Sequence, residues 1–117
     1  MHQVTAFSDH FIQVRISGKM QVSDQRALQH LVETMPDDGE KIRVLATLED
    51  FQGWEKSEAW GDDLEFLFEH GDRVGRMALV GEDRWKDDAL LFAGKGFRET
   101  AIEYFPSRKE AEDWVRG

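Results

Sequence analysis

Two apolar segments of this sequence are each followed by acidic and aromatic residues that could form a binding site. The segments are 42–48, IRVLATL, and 76–80, RMALV. If they are neighbouring parallel strands, the residues after them meet beyond the carboxyl ends of the strands, where open parallel sheets bind ligands. Two indoles, two carboxylates and a guanidinium there could line a pocket for a small molecule. The residues brought together would be Asp50, Trp54, Asp83, Arg84 and Trp85.

A purely structural explanation accounts for the same residues, and we favour it. Trp85 is then a core residue, Asp83 caps the helix that follows, and Arg84 pairs with a neighbouring acid. Nothing in the spacing fixes the geometry that a substrate-facing site needs. A hydrolase that used Asp50, Asp83 and Arg84 is the least favoured alternative. It predicts a carboxyl pKa raised above its ordinary value.

The sequence contains no recognisable catalytic, metal-binding or phosphate-binding motif. The four histidines show no H-x-x-x-H spacing, and there is no cysteine to accompany them. Adjacent carboxylates such as Asp62 and Asp63 point in different directions on a helix, which suits neither a glycosidase pair nor a two-metal clamp. We therefore predict a protein that is not an enzyme, with no catalytic residues, no metal and no cofactor.

Composition and charge predict one independently folding domain that spans residues 1–117. With 40% hydrophobic residues, the chain can form a single core. Its net charge of -9 argues against binding to nucleic acid or anionic lipid. No apolar run approaches the roughly 20 residues of a membrane span, and the N-terminus has no signal-peptide pattern. We expect a cytoplasmic location and no membrane insertion, which the absence of cysteine also suits.

Hydrophobic periodicity predicts an N-terminal hairpin followed by alternating helices and strands. Segments 4–7 and 11–17 are predicted strands joined by a polar turn. Ser23 is the predicted cap of a first helix. The segments Ile42–Leu48 and Arg76–Val80 are nearly apolar throughout, which is typical of central strands covered on both faces.

Three further helices and one more strand are predicted in the second half of the chain. One helix runs from about Ser57 to His70, and a shorter one follows Gly81. A strand then covers residues 98–105, and Ser107 opens a C-terminal helix through a capping-box pattern. The alternation predicts an α/β domain with about five strands in a mainly parallel sheet, an N-terminal antiparallel hairpin and four helices.

Several motifs, in their order and spacing, resemble a known family. FQGW follows a central strand, a Trp- and Phe-rich acidic helix comes next, and RMALVGEDRW and IEYFPSRKEAEDWV complete the pattern over roughly residues 42–115. On these motifs the sequence resembles the SpoIIAA-like family of small bacterial proteins, which is related in structure to STAS domains and CRAL-TRIO-type lipid carriers. The resemblance implies a single SpoIIAA-like, STAS-like domain in a family whose biochemical role is largely unassigned.

STAS domains carry a phosphorylatable serine where a helix begins after a central strand. The corresponding stretch here, residues 48–54, is LEDFQGW and contains no serine. Ser57 is the nearest hydroxyl that follows, and we interpret it as a helix cap. The resemblance therefore does not carry the phosphorylation switch over to this chain.

The predicted helix from Ser57 to His70 offers a candidate partner surface. Phe66 lies roughly opposite the apolar stripe that would pack on the sheet, and with Trp54 it could form an aromatic flank rimmed by acidic charge. Our first hypothesis is a non-enzymatic regulatory or protein-interaction module that forms a homo-oligomer or binds another protein. The alternative is a carrier or sensor of a small apolar or lipid-like ligand. The residues of this candidate ligand or partner surface are Asp50, Trp54, Ser57, Phe66, Asp83, Arg84 and Trp85.

Overall fold

The apolar segments form the five strands of one mixed sheet in this structure, a computed structural model that describes residues 1–8, 10–36, 38–61, 73–96 and 98–117. The strands are β1 (His2–Ser8), β2 (Phe11–Met20), β3 (Ile42–Trp54), β4 (Val74–Val80) and β5 (Ala101–Phe105). The α-helices are α1 (Val22–Thr34), α2 (Lys86–Ala93) and α3 (Arg108–Arg116), and 3-10 turns cover Glu58–Gly61 and Asp83–Trp85.

The strands lie in the order β1-β2-β3-β4-β5, so neighbours along the chain are also neighbours in the sheet. β1 and β2 pair antiparallel as a hairpin, and the other three pairs are parallel. Leu45 of β3 lies opposite Ala78 of β4, and both are completely buried. The predicted α/β class, the hairpin and the adjacent central strands are confirmed.

The alternation of side chains along the strands divides the core between the two faces of the sheet. Half-buried residues of α1 and α2 cover one face. α3 covers the other face. The residues buried together on the first face include Val14, Ala46, Leu79 and Ile102. Those on the second face are Leu45, Ala78, Val80, Ala111 and Val115.

α1 is capped by Gln21, and the prediction of Ser23 as its cap is wrong. The backbone N–H of Gln21 donates to the carboxylate of Asp24 at 2.7 Å, and this reciprocal bond decides where the helix begins. His2 Nδ1 lies 2.6 Å from the other carboxylate oxygen. Burial by itself would raise the pKa of Asp24, but the hydrogen bonds from His2 and Gln21 outweigh it, so the pKa lies below its ordinary value.

α3 begins as predicted and is held at its other end by arginines from the sheet. The Ser107 hydroxyl accepts a hydrogen bond from the backbone N–H of Glu110 at 3.4 Å. The last carbonyls of a helix have no partner within it. Arg76 Nη1 donates to the Trp114 carbonyl at 2.7 Å, and Arg43 Nη1 donates to the Val115 carbonyl at 3.0 Å. These bonds fix the helix across β3 and β4.

β3 continues past Leu48 to Trp54, so the prediction that this strand ends at Leu48 is wrong. Each step of two residues on β2 is matched by three on β3, which means that two β-bulges extend the strand. Asp50 and Gly53, with φ of 47° and 99°, accommodate the extra residues. As a result Phe51 and Trp54 both pack on the core face that α1 and α2 cover. The register pairs are Ile16 with Leu48, Gly18 with Phe51, and Met20 with Trp54.

The described part of the chain contains three α-helices, where four were predicted. The fourth, from about Ser57 to His70, falls mainly on residues 62–72, outside the described residues. Its predicted first turn is the 3-10 turn Glu58–Gly61. The predicted strand 98–105 is shorter than expected, because pairing with β4 begins only at Ala101. Of the helices in the described ranges, none is long and apolar enough to cross a lipid bilayer.

Candidate functional site

An open cleft of about 430 Å³ lies beside the carboxyl end of β3. It forms where the bulged end of β3, the segment after it and α2 come together. In parallel sheets, ligands bind beyond the carboxyl ends of the strands, and the cleft occupies this position. The residues that line it are Gln52, Gly53, Trp54, Glu55, Lys56, Ser57, Trp60, Trp85, Asp88 and Phe92.

Four aromatic side chains of the cleft contact one another in a continuous group. Trp54 stacks on Phe92, with ring centroids 4.6 Å apart and planes 7° apart. Trp60 meets Phe92 edge-on at 5.3 Å, and Trp85 lies 6.0 Å from Trp54. The buried Phe51 touches Trp54 and Trp85 with its ring at 4.8 Å and 5.1 Å. Edge and offset contacts of this kind are favourable, so the rings hold one another in place.

Trp85 forms one wall of the cleft and carries a buried polar group. A Cβ atom added to Gly53 would lie 3.6 Å from its ring, so the backbone of β3 approaches the indole closely. The guanidinium of Arg84 lies over the same ring at 4.8 Å and is 3.4 Å from the carboxylate of Glu82. The Trp85 indole N–H is buried and has no hydrogen-bond partner among the described residues. An unpaired donor of this kind costs about 1–3 kcal/mol.

Polar groups of both charges rim the aromatic cleft. Glu55 ties it to α1, because its carboxylate accepts a 2.6 Å hydrogen bond from the backbone N–H of Val22. The carbonyl of Glu55 accepts from the indole N–H of Trp60 at 2.8 Å, which orients that ring. Lys56 and Asp88 are exposed at the rim. The cleft therefore has an apolar wall and a mixed-charge edge.

Tyr104 lies beside the 3-10 turn that carries Trp85. Its hydroxyl donates to the carbonyl of Glu82 at 2.7 Å. Burial, followed by the negative charges of Asp83 and Glu82, raises the pKa of Tyr104 to about 12. A Cβ atom on Gly81 would lie only 2.5 Å from this hydroxyl, so glycine is needed there for the turn to approach β5.

The structure brings some of the predicted site residues together and separates others. Trp54, Ser57 and Trp85 line the cleft. Asp83 and Arg84 belong to the turn beside Trp85 but do not line it, and Asp50 lies on the exposed side of the first bulge in β3. The predicted pairing of Arg84 with a neighbouring acid is confirmed in Glu82. Phe66 lies outside the described residues.

The site residues predicted from the sequence include neither Phe92 nor Trp60, although both line the cleft. A signal for Phe92 was available, since Trp85, Asp88 and Phe92 are spaced by three and four residues and therefore share one helix face. All three line the cleft. The position of Trp60 depends on the length of β3, which no local pattern revealed.

A cluster in the described part that could hold a metal ion lies elsewhere, at the hairpin turn. His10, Asp38 and Glu40 present ligand atoms within 4.8 Å of one another. However, His10 Nε2 lies 2.9 Å from Asp38, whereas Nδ1 lies 3.5 Å from Glu40. The hydrogen bond from the Glu40 backbone N–H and then the contact with His10 lower the pKa of Asp38. Because each ring nitrogen faces a different carboxylate, the arrangement joins the hairpin to the loop after α1 and does not converge on one ion.

Comparison with known proteins identifies relatives of the whole domain. The SpoIIAA-like family model matches residues 11–116. An uncharacterized protein from Shewanella loihica PV-4, whose crystal structure has a SpoIIAA-like fold, superimposes with a TM-score of 0.69 at 22% identity, and the match covers 98% of this chain and 92% of that chain. No curated protein matches the sequence at a significant level. With a family match over nearly its full length, this chain belongs to the SpoIIAA-like family.

Proposed function

We propose that this protein is a non-enzymatic, cytoplasmic binding module of the STAS type, and that the aromatic cleft binds a small apolar or lipid-like ligand. The observation that carries the proposal is the group formed by Trp54, Trp60, Trp85 and Phe92 at the carboxyl end of β3. The predicted interaction surface at Phe66 lies outside the described residues. Ligand binding is therefore the function that the described geometry supports best.

The size and chemistry of the cleft support this proposal. Its volume of about 430 Å³ is within the usual range for small-ligand sites. Aromatic walls with a few polar groups at the edge are typical of such sites.

The residues around the cleft favour binding over catalysis. Nucleophilic catalysis needs a nucleophile and a base within hydrogen-bond reach of each other. Ser57 is an exposed hydroxyl at the rim, but the described lining contains no histidine or cysteine that could act with it. The contacts of Glu55 tie neighbouring segments together, which is a structural role.

Two neighbouring substitutions in α2 test the proposal. Phe92→Ala removes the ring that stacks on Trp54, whereas Leu91→Ala removes an apolar side chain that is 63% exposed and does not line the cleft. The measurement is fluorescence titration with N-phenylnaphthylamine, followed by displacement with 1-dodecanol. Both compounds are uncharged, so the acidic protein does not repel them. We expect Phe92→Ala to weaken probe binding by about tenfold, equivalent to about 1.4 kcal/mol.

Leu91→Ala is the control for this titration. Leu91→Ala should bind the probe as the wild-type protein does, and circular dichroism should show that both variants are folded. A wild-type protein that does not bind the probe would contradict the proposal. Equal binding by Phe92→Ala and Leu91→Ala would show that the probe binds outside the cleft.

A further inference from the structure

β1 is an edge strand of the sheet that the described residues form. Its one strand partner there is β2, and six of its seven residues are exposed. The backbone N–H and C=O groups of alternate residues therefore point away from the sheet, without a strand partner in the described ranges. An exposed edge of this kind is a template for pairing with another strand.

The two edges of the sheet differ in how they are protected. β1 reads HQVTAFS and contains no Asp, Glu, Lys, Arg or Pro, although 33% of the chain is charged. β5 is shorter, carries Glu103 in an ion pair with Lys95 at 3.6 Å, and is followed directly by Pro106. Charges, proline, β-bulges and short length are the usual protection of an edge. Of these, β1 has only a bulge, between Val4 and Ala6.

Two exposed apolar side chains of β1 project from the same face. Val4 lies opposite Val14, and Phe7 lies opposite Ile12. Val14 and Ile12 are core residues, each 1% exposed, so both point to the same face of the sheet. Residues directly opposite each other on paired strands project from the same face, so Val4 and Phe7 point to this face too. The bulge brings Val4 and Phe7 into this common orientation, where they are 37% and 52% exposed.

We infer that β1 pairs antiparallel with β1 of a second copy of this chain, about a two-fold axis between Thr5 and Ala6. In this register Val4 of each copy lies opposite Phe7 of the other, so the same aromatic and β-branched contact is made twice. The two sheets join into one continuous sheet. This inference concerns a surface apart from the aromatic cleft and does not depend on ligand binding there.

The chemistry of β1 favours its own copy as the occupant. A partner strand that carried charges would lose hydration at β1 and find no counter-charge there. A second β1 is uncharged and presents the matching apolar residues. Each copy has a net charge of -9, so the remaining surfaces repel each other, and salt screens this repulsion over about 8 Å at physiological ionic strength. The pairing of one strand from each copy is a small interface, so the dimer should be reversible and should tighten with salt.

The experiment measures self-association of the full chain by sedimentation equilibrium over a wide concentration range. Phe7→Lys places a charge at the centre of the proposed contact and should raise the dimer dissociation constant by about tenfold or more. Leu91→Lys makes the same change of charge at an exposed apolar residue of α2 and is the matched control. It should dimerise as the wild-type protein does.

A double substitution tests the register. Val4→Lys alone should weaken the dimer, because a lysine then lies opposite Phe7 of the second copy. Val4→Lys combined with Phe7→Glu places opposite charges across the axis in both contacts and should restore association, now weakened by salt. Restoration supports the register, and failure of the folded double variant to associate overturns it.

Two outcomes would overturn the inference as a whole. The first is a wild-type protein that stays monomeric at all concentrations. The second is a dimer that survives Phe7→Lys. If that dimer is lost instead on Leu91→Lys or Phe66→Glu, the contact lies on another surface.

Discussion

At the scale of single residues, Tyr104 shows how the turn that carries Trp85 is held in place. Its hydroxyl satisfies the Glu82 carbonyl, and the glycine at position 81 leaves room for it. The neutral phenol donates this hydrogen bond, whereas the phenolate would face the charges of Glu82 and Asp83. The folded protein therefore favours the neutral form.

Because Tyr104 is the single tyrosine, its titration can be followed by phenolate absorbance. We expect a midpoint near the raised pKa of about 12, compared with 10.0 for an ordinary tyrosine. A raised pKa in the folded state gives stability that is complete below the unfolded value and is lost as the pH rises through the folded value. The free energy of unfolding should fall between about pH 10 and pH 12.

Tyr104→Phe is the control for this titration. The variant should lose the hydrogen bond to Glu82, and with it the part of the alkaline loss of stability that arises from the tyrosine. A wild-type midpoint at the ordinary value would show that the turn does not shield the hydroxyl.

At the scale of elements, the bulged end of β3 builds the candidate site. A regular strand would send residues three apart to opposite faces. The extra residues at Asp50 and Gly53 instead let Phe51 and Trp54 pack together on one face. Trp54 can then stack on Phe92 of α2. The aromatic cleft therefore depends on the backbone conformation of Asp50 and Gly53, although neither residue is aromatic.

Gly53→Ala should therefore destabilise the protein by about 1–2 kcal/mol, because a non-glycine residue is strained at positive φ. Crowding adds little, since the new Cβ would lie 3.6 Å from Trp85, an ordinary contact. Asp50→Gly is the matched control and should be neutral or slightly stabilising, because Asp50 already has φ of 47°. Urea denaturation of both variants measures the difference, and equal stability of Gly53→Ala and wild type would contradict the proposed strain.

At the scale of the whole molecule, excess negative charge opposes folding while two helical layers favour it. The chain has 24 acidic and 15 basic residues, which gives the net charge of -9. α1 and α2 cover one face of the sheet, and α3 covers the other, fixed by Arg43 and Arg76. Self-repulsion of this size weakens a compact state and is screened by salt.

The melting temperature should accordingly rise with sodium chloride in dilute protein, where association contributes little. Glu99→Lys at an exposed position changes the net charge from -9 to -7 and should reduce the increase. Differential scanning calorimetry of both proteins across a salt series makes the comparison. A melting temperature that falls with added salt would mean that local ion pairs outweigh the overall repulsion.

Local patterns in the sequence were sufficient for most of the architecture. The period of apolar residues identified the hairpin, the central strands and the three described α-helices, and Ser107 marked the start of α3. These features depend on residues close along the chain, so they can be read from short windows. Trp54 and Trp85 could likewise be placed near each other from the parallel order of β3 and β4.

Contacts between distant segments decided the rest. Gln21 caps α1 because Asp24 turns back to it and His2 holds that carboxylate from β1. The sequence by itself determined the α/β class, the hairpin, the adjacency of the two central strands and the aromatic composition of the second half. Only the tertiary structure decided that β3 continues through two bulges and that Phe92 completes the cleft, because pairing between β2 and β3 compensates for backbone conformations that the local sequence disfavours.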